Sequence, residues 1–225
     1  MNSSTIKIIA CICMLIDHIG YVFFPRMMAF RIIGRLAFPI FAYMIAEGYR
    51  KTSDITNYLG RLFFFALLSQ LPFMYAFSTS ELELNVFFTL AMGLYAIYTY
   101  DKHKKIYIVV IIAAACQLVN TDYGAFGVLL VFIFNRYHED FFGMVKSVVI
   151  LTIVFQGVEG ILVYFNTPQS VLKINLIWTL VIQPMSLLSL ILIKFYNGER
   201  GLKLKYLFYV FYPVHLGIIA LIKYL

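Results

Sequence analysis

Charge is what this sequence has least of. Only 13% of its 225 residues are Asp, Glu, Lys or Arg, against 62% hydrophobic, and the mean hydropathy is +0.87. So little polar surface cannot cover a soluble domain, so the class is polytopic membrane protein. Cysteine is scarce too. Cys11, Cys13 and Cys116 lie in apolar stretches without a CxxC pair, which excludes a disulfide framework and leaves three packing residues. There is no P-loop, Rossmann fingerprint or other Gly-rich phosphate loop. The apolar runs lack the alternation of barrel strands, which leaves helices as the spanning element. No internal repeat and no matched pair of half-length helices is visible, which argues against a repeat-built transporter. After Lys7 the first apolar run meets Asp17 and His18 and no small-x-small cleavage site, so it reads as a retained helix rather than a signal.

What is present is a set of nine apolar blocks punctuated by charge, Pro and Asn. They run Ile6–Phe24, Arg31–Tyr49, Tyr58–Phe77, Val86–Tyr100, Lys105–Val119, Tyr123–Tyr137, Phe142–Phe165, Ile174–Phe195 and Leu204–Leu225. The expected fold is an all-α membrane bundle of about nine transmembrane helices. The middle three blocks are short for a ~30 Å core, so some are expected to pack inside the bundle. With the N-terminus inside, thirteen Lys and Arg fall on the inner side (Lys7, Arg50, Lys51, Arg61, Lys102, Lys104, Lys105, Arg136, Lys146, Lys194, Arg200, Lys203, Lys205). Five fall outside (Arg26, Arg31, Arg35, Lys173, Lys223). The bias predicts N-in, C-out. The outer loop at 78–85 is acidic, with Glu81 and Glu83. The net charge of +7 belongs to the membrane rim and calls for no nucleic acid.

Against that background the stretch MLIDHIGY, residues 14–21, places a carboxylate and an imidazole inside hydrocarbon. Asp17 lies ~10–11 Å below the outer end of helix 1, and Arg35 is ~6–8 Å into helix 2. The short connection makes these helices antiparallel neighbours, so Asp17 and Arg35 meet. Adjacent helical residues point ~100° apart, so Asp17 and His18 do not pair with each other. The plainest reading is a structural ion pair beside a hydrogen-bonded core histidine. A second imidazole, His215, sits ~16 Å from the inner face beside Pro213, where a kink is expected. Two histidines at similar depth on the first and last helices are candidate parts of one site, though the sequence leaves their convergence open. A metal set of Asp17, His18 and His215 is disfavoured because the first two diverge, and no metal is expected. Glu47 reads as part of an interfacial charge network. Glu159, in QGVEG, marks either a broken helix or a locally flexible span. His103 and His138 fall in inner loops.

The blocks MLIDHIGYVFFP, IGRLAFPIFAYMIAEGYRKT, YLGRLFFFALLSQLPF, NVFFTLAMGL, DYGAFGVLLVF and FYPVHL run through the chain in one order. In that combination the sequence resembles the TraX family over essentially its whole length. The resemblance implies one domain over 1–225 and an integral membrane acetyltransferase, named for acetylating the N-terminus of F-type pilin. It is similar, more distantly, to membrane acyltransferases that draw on cytoplasmic acyl-CoA. It implies acetyl-CoA as donor and the bacterial cytoplasmic (inner) membrane as location. The resemblance does not fix the acceptor; the outer position of the basic and imidazole cluster suits an exported peptide, pilin, lipoprotein or envelope glycan. Matched to the family's motifs are Asp17, His18, Arg35, Pro39, Glu47, Gly48, Asn85, Asp122, Tyr123 and His215.

Acyl transfer needs a base, an oxyanion donor and cations for the donor's phosphates. On this reading His18 is the base and His215 a second catalytic or oxyanion-stabilising group, with the roles exchangeable. Asp17 orients through Arg35, and Arg31 or Arg35 polarises the carbonyl. Arg31, Glu47, Arg50, Lys51 and Arg61 are the donor-binding candidates; Asn85, Asp122, Tyr123 and Tyr212 are the acceptor-binding ones. Direct transfer and a covalent acetyl-histidine both fit. A proton-coupled carrier and a non-catalytic scaffold of a secretion or conjugation apparatus are the rivals.

Overall fold

The computed structural model describes residues 1–78 and 83–225, with only the backbone at Lys205. Glu81 and the Lys205 side chain therefore lie outside the described residues. Within them the chain is all-helical, apart from an isolated bridge between Leu84 and Thr121. The helices are α1 (Ser3–Phe23), α2 (Met28–Gly34), α3 (Ala37–Lys51), α4 (Ile55–Phe77), α5 (Val86–His103), α6 (Ile106–Leu118), α7 (Gly124–Arg136), α8 (Phe141–Asn166), α9 (Gln169–Ile177), α10 (Ser189–Lys194) and α11 (Lys205–Tyr224). A π-helical turn, Trp178–Ile182, and a 3-10 stretch, Gln183–Leu188, link α9 to α10.

Polar residues between the apolar blocks start the helices by capping them. The side chains of Asn2, Asp54, Asn85 and Asp140 accept from the backbone N–H of Thr5, Asn57, Phe87 and Gly143 at 2.9–3.1 Å. Each satisfies a donor that the first turn would otherwise leave unpaired. The second apolar block is split into α2 and α3 at Arg35 and Leu36. Pro39 explains the split: it offers no N–H to the Arg35 carbonyl four residues back, and its ring crowds that carbonyl. By contrast, α11 continues through Pro213 without a break in its helical assignment. Helix α8 likewise runs through Gly157 and Gly160. The interruption falls instead on the Trp178–Leu188 stretch.

Six segments among the described residues are long and apolar enough to cross a membrane: Ser3–Phe23, Met28–Lys51, Ile55–Phe77, Phe141–Asn166, Gln169–Lys194 and Tyr206–Tyr224. The protein is a multi-pass membrane protein by that measure. The middle three helices do not meet it. Helix α5 buries Thr89, Gly93 and Thr99 along with its apolar residues and lies inside the bundle. Helix α7 packs on α3, α5, α6 and α8. Helix α6 covers α7 on one side and turns Val110, Ile111 and Leu118 outward. The outward faces are greasy throughout; on α8, Phe142 is 81% and Phe165 78% exposed, as expected of a helix facing lipid.

Connections at one end of the bundle join lysine-rich segments. Lys51 Nζ donates to the Gly198 carbonyl at 2.5 Å, Tyr49 Oη donates to Asp101 at 2.8 Å, and Ser3 N–H donates to the Glu199 carbonyl at 2.8 Å. At the opposite end Asp122 N–H donates to the Leu84 carbonyl at 2.7 Å, and Lys223 Nζ donates to the Ala76 carbonyl at 3.0 Å.

Candidate functional site

Helices α1 and α2 form a tight hairpin, and glycine permits it. A Cβ on Gly34 would stand 2.0 Å from Asp17 Oδ1, and one on Gly20 would stand 2.2 Å from Phe30 Cβ. The closeness brings Asp17 against two guanidinium groups. Its Oδ2 lies 2.8 Å from Arg31 Nη1 and 3.0 Å from Arg35 Nη2. Asp17 is only 7% exposed and Arg35 only 8%, so the charges stabilise one another where water does not. Arg35 Nη1 also donates to Gln183 Oε1 at 2.9 Å, and its Nε is buried with no partner among the described residues. The Trp178 ring lies 5.0 Å from the Arg31 guanidinium and 5.7 Å from that of Arg35. The π-helical turn thus delivers an aromatic face to the arginine pair, and the 3-10 stretch that follows delivers the Gln183 amide.

Beside Asp17 on α1, His18 carries a second contact: its Nδ1 and His215 Nε2 are 2.8 Å apart. His215 Nδ1 is 2.7 Å from the Phe211 carbonyl oxygen. A carbonyl only accepts, so His215 carries its proton on Nδ1 and presents Nε2 as an acceptor. His18 must then donate from Nδ1. Its own Nε2 is left with a lone pair and no hydrogen bond among the described residues. The arrangement is a one-way relay in which His18 donates to His215 and His215 donates to the Phe211 carbonyl. The rings are close to parallel, and His18 also meets Phe77 and Tyr212 edge-on.

A cavity of about 210 Å³ opens beside this cluster, lined by Asp17, His18, Arg31, Arg35, Glu83, Asp122, Tyr123 and Tyr212 among others. Tyr123 is held there with φ at +64° and its ring stacked on Phe38, centroids 3.7 Å apart. Left-handed backbone at a tyrosine costs about 1–3 kcal/mol, and the stacking and the surrounding turn hold it. Asp122 lies in the α6–α7 connection, where burial pushes its carboxyl up to about 7. A second cavity of about 490 Å³ runs from the lysine-rich end. It is lined by Lys7, Glu47, Lys51, Arg61, Arg200 and Lys203 at its basic mouth, and by apolar side chains further in.

Several residues lie elsewhere than the sequence reading has them. Arg31 does not join Glu47, Lys51 and Arg61, because ~16 residues of descending helix place it ~24 Å along the bundle. It stands in the histidine cavity instead. Arg50 lines neither cavity; it pairs with Glu47 at 2.6 Å and reaches Asn135 at 3.5 Å. Asn85 is fully buried and lines neither. Its amide donates to the Ala66 carbonyl and Gln70 while its oxygen caps α5. Glu47 gathers Arg50, Lys51 and Tyr196, the charge network expected of it. Trp178, Gln183, Glu83, Lys7, Arg200 and Lys203 line or brace the two cavities and were not among the expected site residues. The only sequence signal for Gln183 is a polar residue within an apolar block, followed by proline.

Comparison with known proteins points the same way over the whole chain. The family model for TraX protein matches residues 2–223. The chain is 28% identical over 245 residues to the probable fimbrial assembly protein FimC, serogroup H1, of Dichelobacter nodosus, covering 97% of this chain and 94% of the relative. No solved structure matches. The paired histidines, the arginine-bound aspartate and the Tyr-Pro-Val-His segment thus sit in a chain that belongs to the TraX family.

Proposed function

We propose that this protein is a membrane-embedded acetyltransferase of the bacterial cytoplasmic membrane, with its lysine-rich end and N-terminus inside and its C-terminus outside. It moves an acetyl group from cytoplasmic acetyl-CoA to an amine or hydroxyl acceptor near the outer face, such as an exported peptide or pilin N-terminus. The observation that carries the reading is the His18–His215–Phe211 relay beside an arginine whose buried Nε has no partner among the described residues.

The relay supports one division of labour. His18 Nε2 takes the acceptor's proton as its nitrogen or oxygen attacks the thioester carbonyl carbon. His215 is a positioning residue: it fixes the His18 tautomer and accepts from the imidazolium that forms. Arg35, and Arg31 beside it, face the negative charge developing on the carbonyl oxygen. The carbon–sulfur bond then breaks and the departing sulfur takes the proton back from His18. His215 is 5% exposed and lines neither cavity, which favours His18 over it as base and favours direct transfer. Lys7, Lys51, Arg61, Arg200 and Lys203 suit the phosphates of the donor, and the apolar depth of the basic cavity suits its pantetheine arm.

The test is mass spectrometry of membrane peptides and glycolipids from cells with and without the protein. At least one species should lose an acetyl group when the protein is absent, and His18→Ala should behave as absence. An acetylation profile indifferent to the protein overturns the reading. The relative's name, a fimbrial assembly protein, favours a second one, in which the chain serves pilus assembly without chemistry. That reading requires His18→Ala to leave assembly and acetylation untouched.

A further inference from the structure

The two cavities share part of their lining. Of all the residues that line them, four line both: Met14, Phe41, Val86 and Tyr212. Each comes from a different helix, α1, α3, α5 and α11. Met14 is one helical turn from His18 on the same face of α1. The Tyr212 ring stands edge-on to His18, centroids 6.2 Å apart, and edge-on to Phe87 at 5.2 Å. Met14 and Tyr212 are buried, at 9% and 3% exposure. The four side chains therefore form a collar between a long apolar cavity with a basic mouth and a small polar cavity holding the imidazole.

We infer that this collar selects the donor by acyl length, admitting a two-carbon acyl group to His18 and holding back longer chains. The inference rests on the acetyltransferase reading and deepens it. The thioester must straddle the collar, with its sulfur on the basic side and its carbonyl carbon beside His18. The acyl tail then shares about 210 Å³ with the incoming acceptor. Each further methylene must displace the acceptor or spread the collar, and the surrounding packed side chains resist that. The collar residues make and break no bond. The carbon–sulfur bond breaks, the carbon–acceptor bond forms, and the proton passes from acceptor to His18 to sulfur as before. Methionine at position 14 suits a passage that must flex around a thioester.

Inside-out membrane vesicles containing the full chain, with its own acceptor, provide the assay. Thiol release from acetyl-, butanoyl- and octanoyl-CoA is measured, and release by vesicles lacking the protein is subtracted. The wild type should prefer acetyl over octanoyl by about 100-fold or more, given the 10–200-fold that a methylene can command in a shaped pocket. Met14→Ala and Phe41→Ala should raise the octanoyl-to-acetyl ratio about tenfold or more; Phe41→Leu carries the same expectation should either alanine variant fail to fold. A wild type that cleaves octanoyl as readily as acetyl overturns the collar, and so does a ratio unchanged in folded variants. In both cases acetyl release by the wild type leaves the acetyltransferase reading standing. Release from none of the three donors overturns that reading and the collar with it.

Discussion

His18 and His215 are 197 residues apart in the chain and 2.8 Å apart in space, with Nδ1 of the first facing Nε2 of the second. The pair has a direction, because the Phe211 carbonyl fixes the His215 tautomer. Each imidazole therefore has one task, and the two should respond differently to substitution.

His18→Gln removes the base itself and should lower acetyl transfer about 10²–10⁴-fold with little change in donor KM. His215→Gln should cost less and should shift the pH at which activity rises, since it removes the acceptor that steadies the His18 imidazolium. Steady-state kinetics across pH separates the two. Equal losses with identical pH profiles would contradict the relay.

Asp17 neutralises part of a buried arginine pair. Asp17→Asn leaves two guanidinium groups without their carboxylate and should cost about 3–5 kcal/mol of stability, read as a lowered Tm in detergent. Gln183→Ala removes only one neutral acceptor from Arg35 and should cost about 1.5–3 kcal/mol or less. The order of the two losses is the check.

Gly34→Ala should abolish the packed hairpin or displace the Asp17 carboxylate, because the new Cβ would stand 2.0 Å from Oδ1. Gly217→Ala has open space around it in α11 and should stabilise the helix by about 0.5–1 kcal/mol. Thermal unfolding of both variants tests the geometry independently of any activity.

Asp122 should titrate near neutrality. Its carboxyl is pushed up to about 7, from an ordinary value of 3.8, chiefly by burial, with the Arg35 charge pulling the other way. The folded state thus holds this proton where the unfolded chain has released it. The group's contribution to stability is complete below about pH 4 and is lost as pH rises through about 7. The carboxyl C=O stretch in infrared titration should follow that course and be missing from Asp122→Asn.

Arg61, on α4, and Lys51, at the end of α3, both line the basic mouth. Arg61→Ala should raise the donor KM while leaving kcat within a few-fold, because a phosphate contact binds ground and transition states alike. The effect should weaken as salt is added. A selective fall in kcat would place Arg61 in the chemistry instead.

Much of this was readable from the chain, and the reason is distance along it. Asp17 and Arg35 are 18 residues apart across one short connection, so helix rise alone predicts their meeting. The caps at Asn2, Asp54, Asn85 and Asp140 are local in the same sense. Asn85 shows where locality misleads. A motif asparagine invites a role in binding, whereas burial and three partners make it a cap that ties α4 to α5.

The sequence by itself determined an all-helical membrane chain, because composition leaves no other way to satisfy the backbone in lipid. It also determined the arginine–aspartate hairpin, which chain connectivity enforces. Only the tertiary structure decided that the first and last helices bring their imidazoles into one hydrogen bond. It alone carried Trp178 and Gln183 from a distorted span onto the arginines, and set Lys7 and Arg200 around one mouth. Those meetings depend on how helices far apart in sequence close around a shared core. No periodicity or spacing within a single helix encodes which face will meet which.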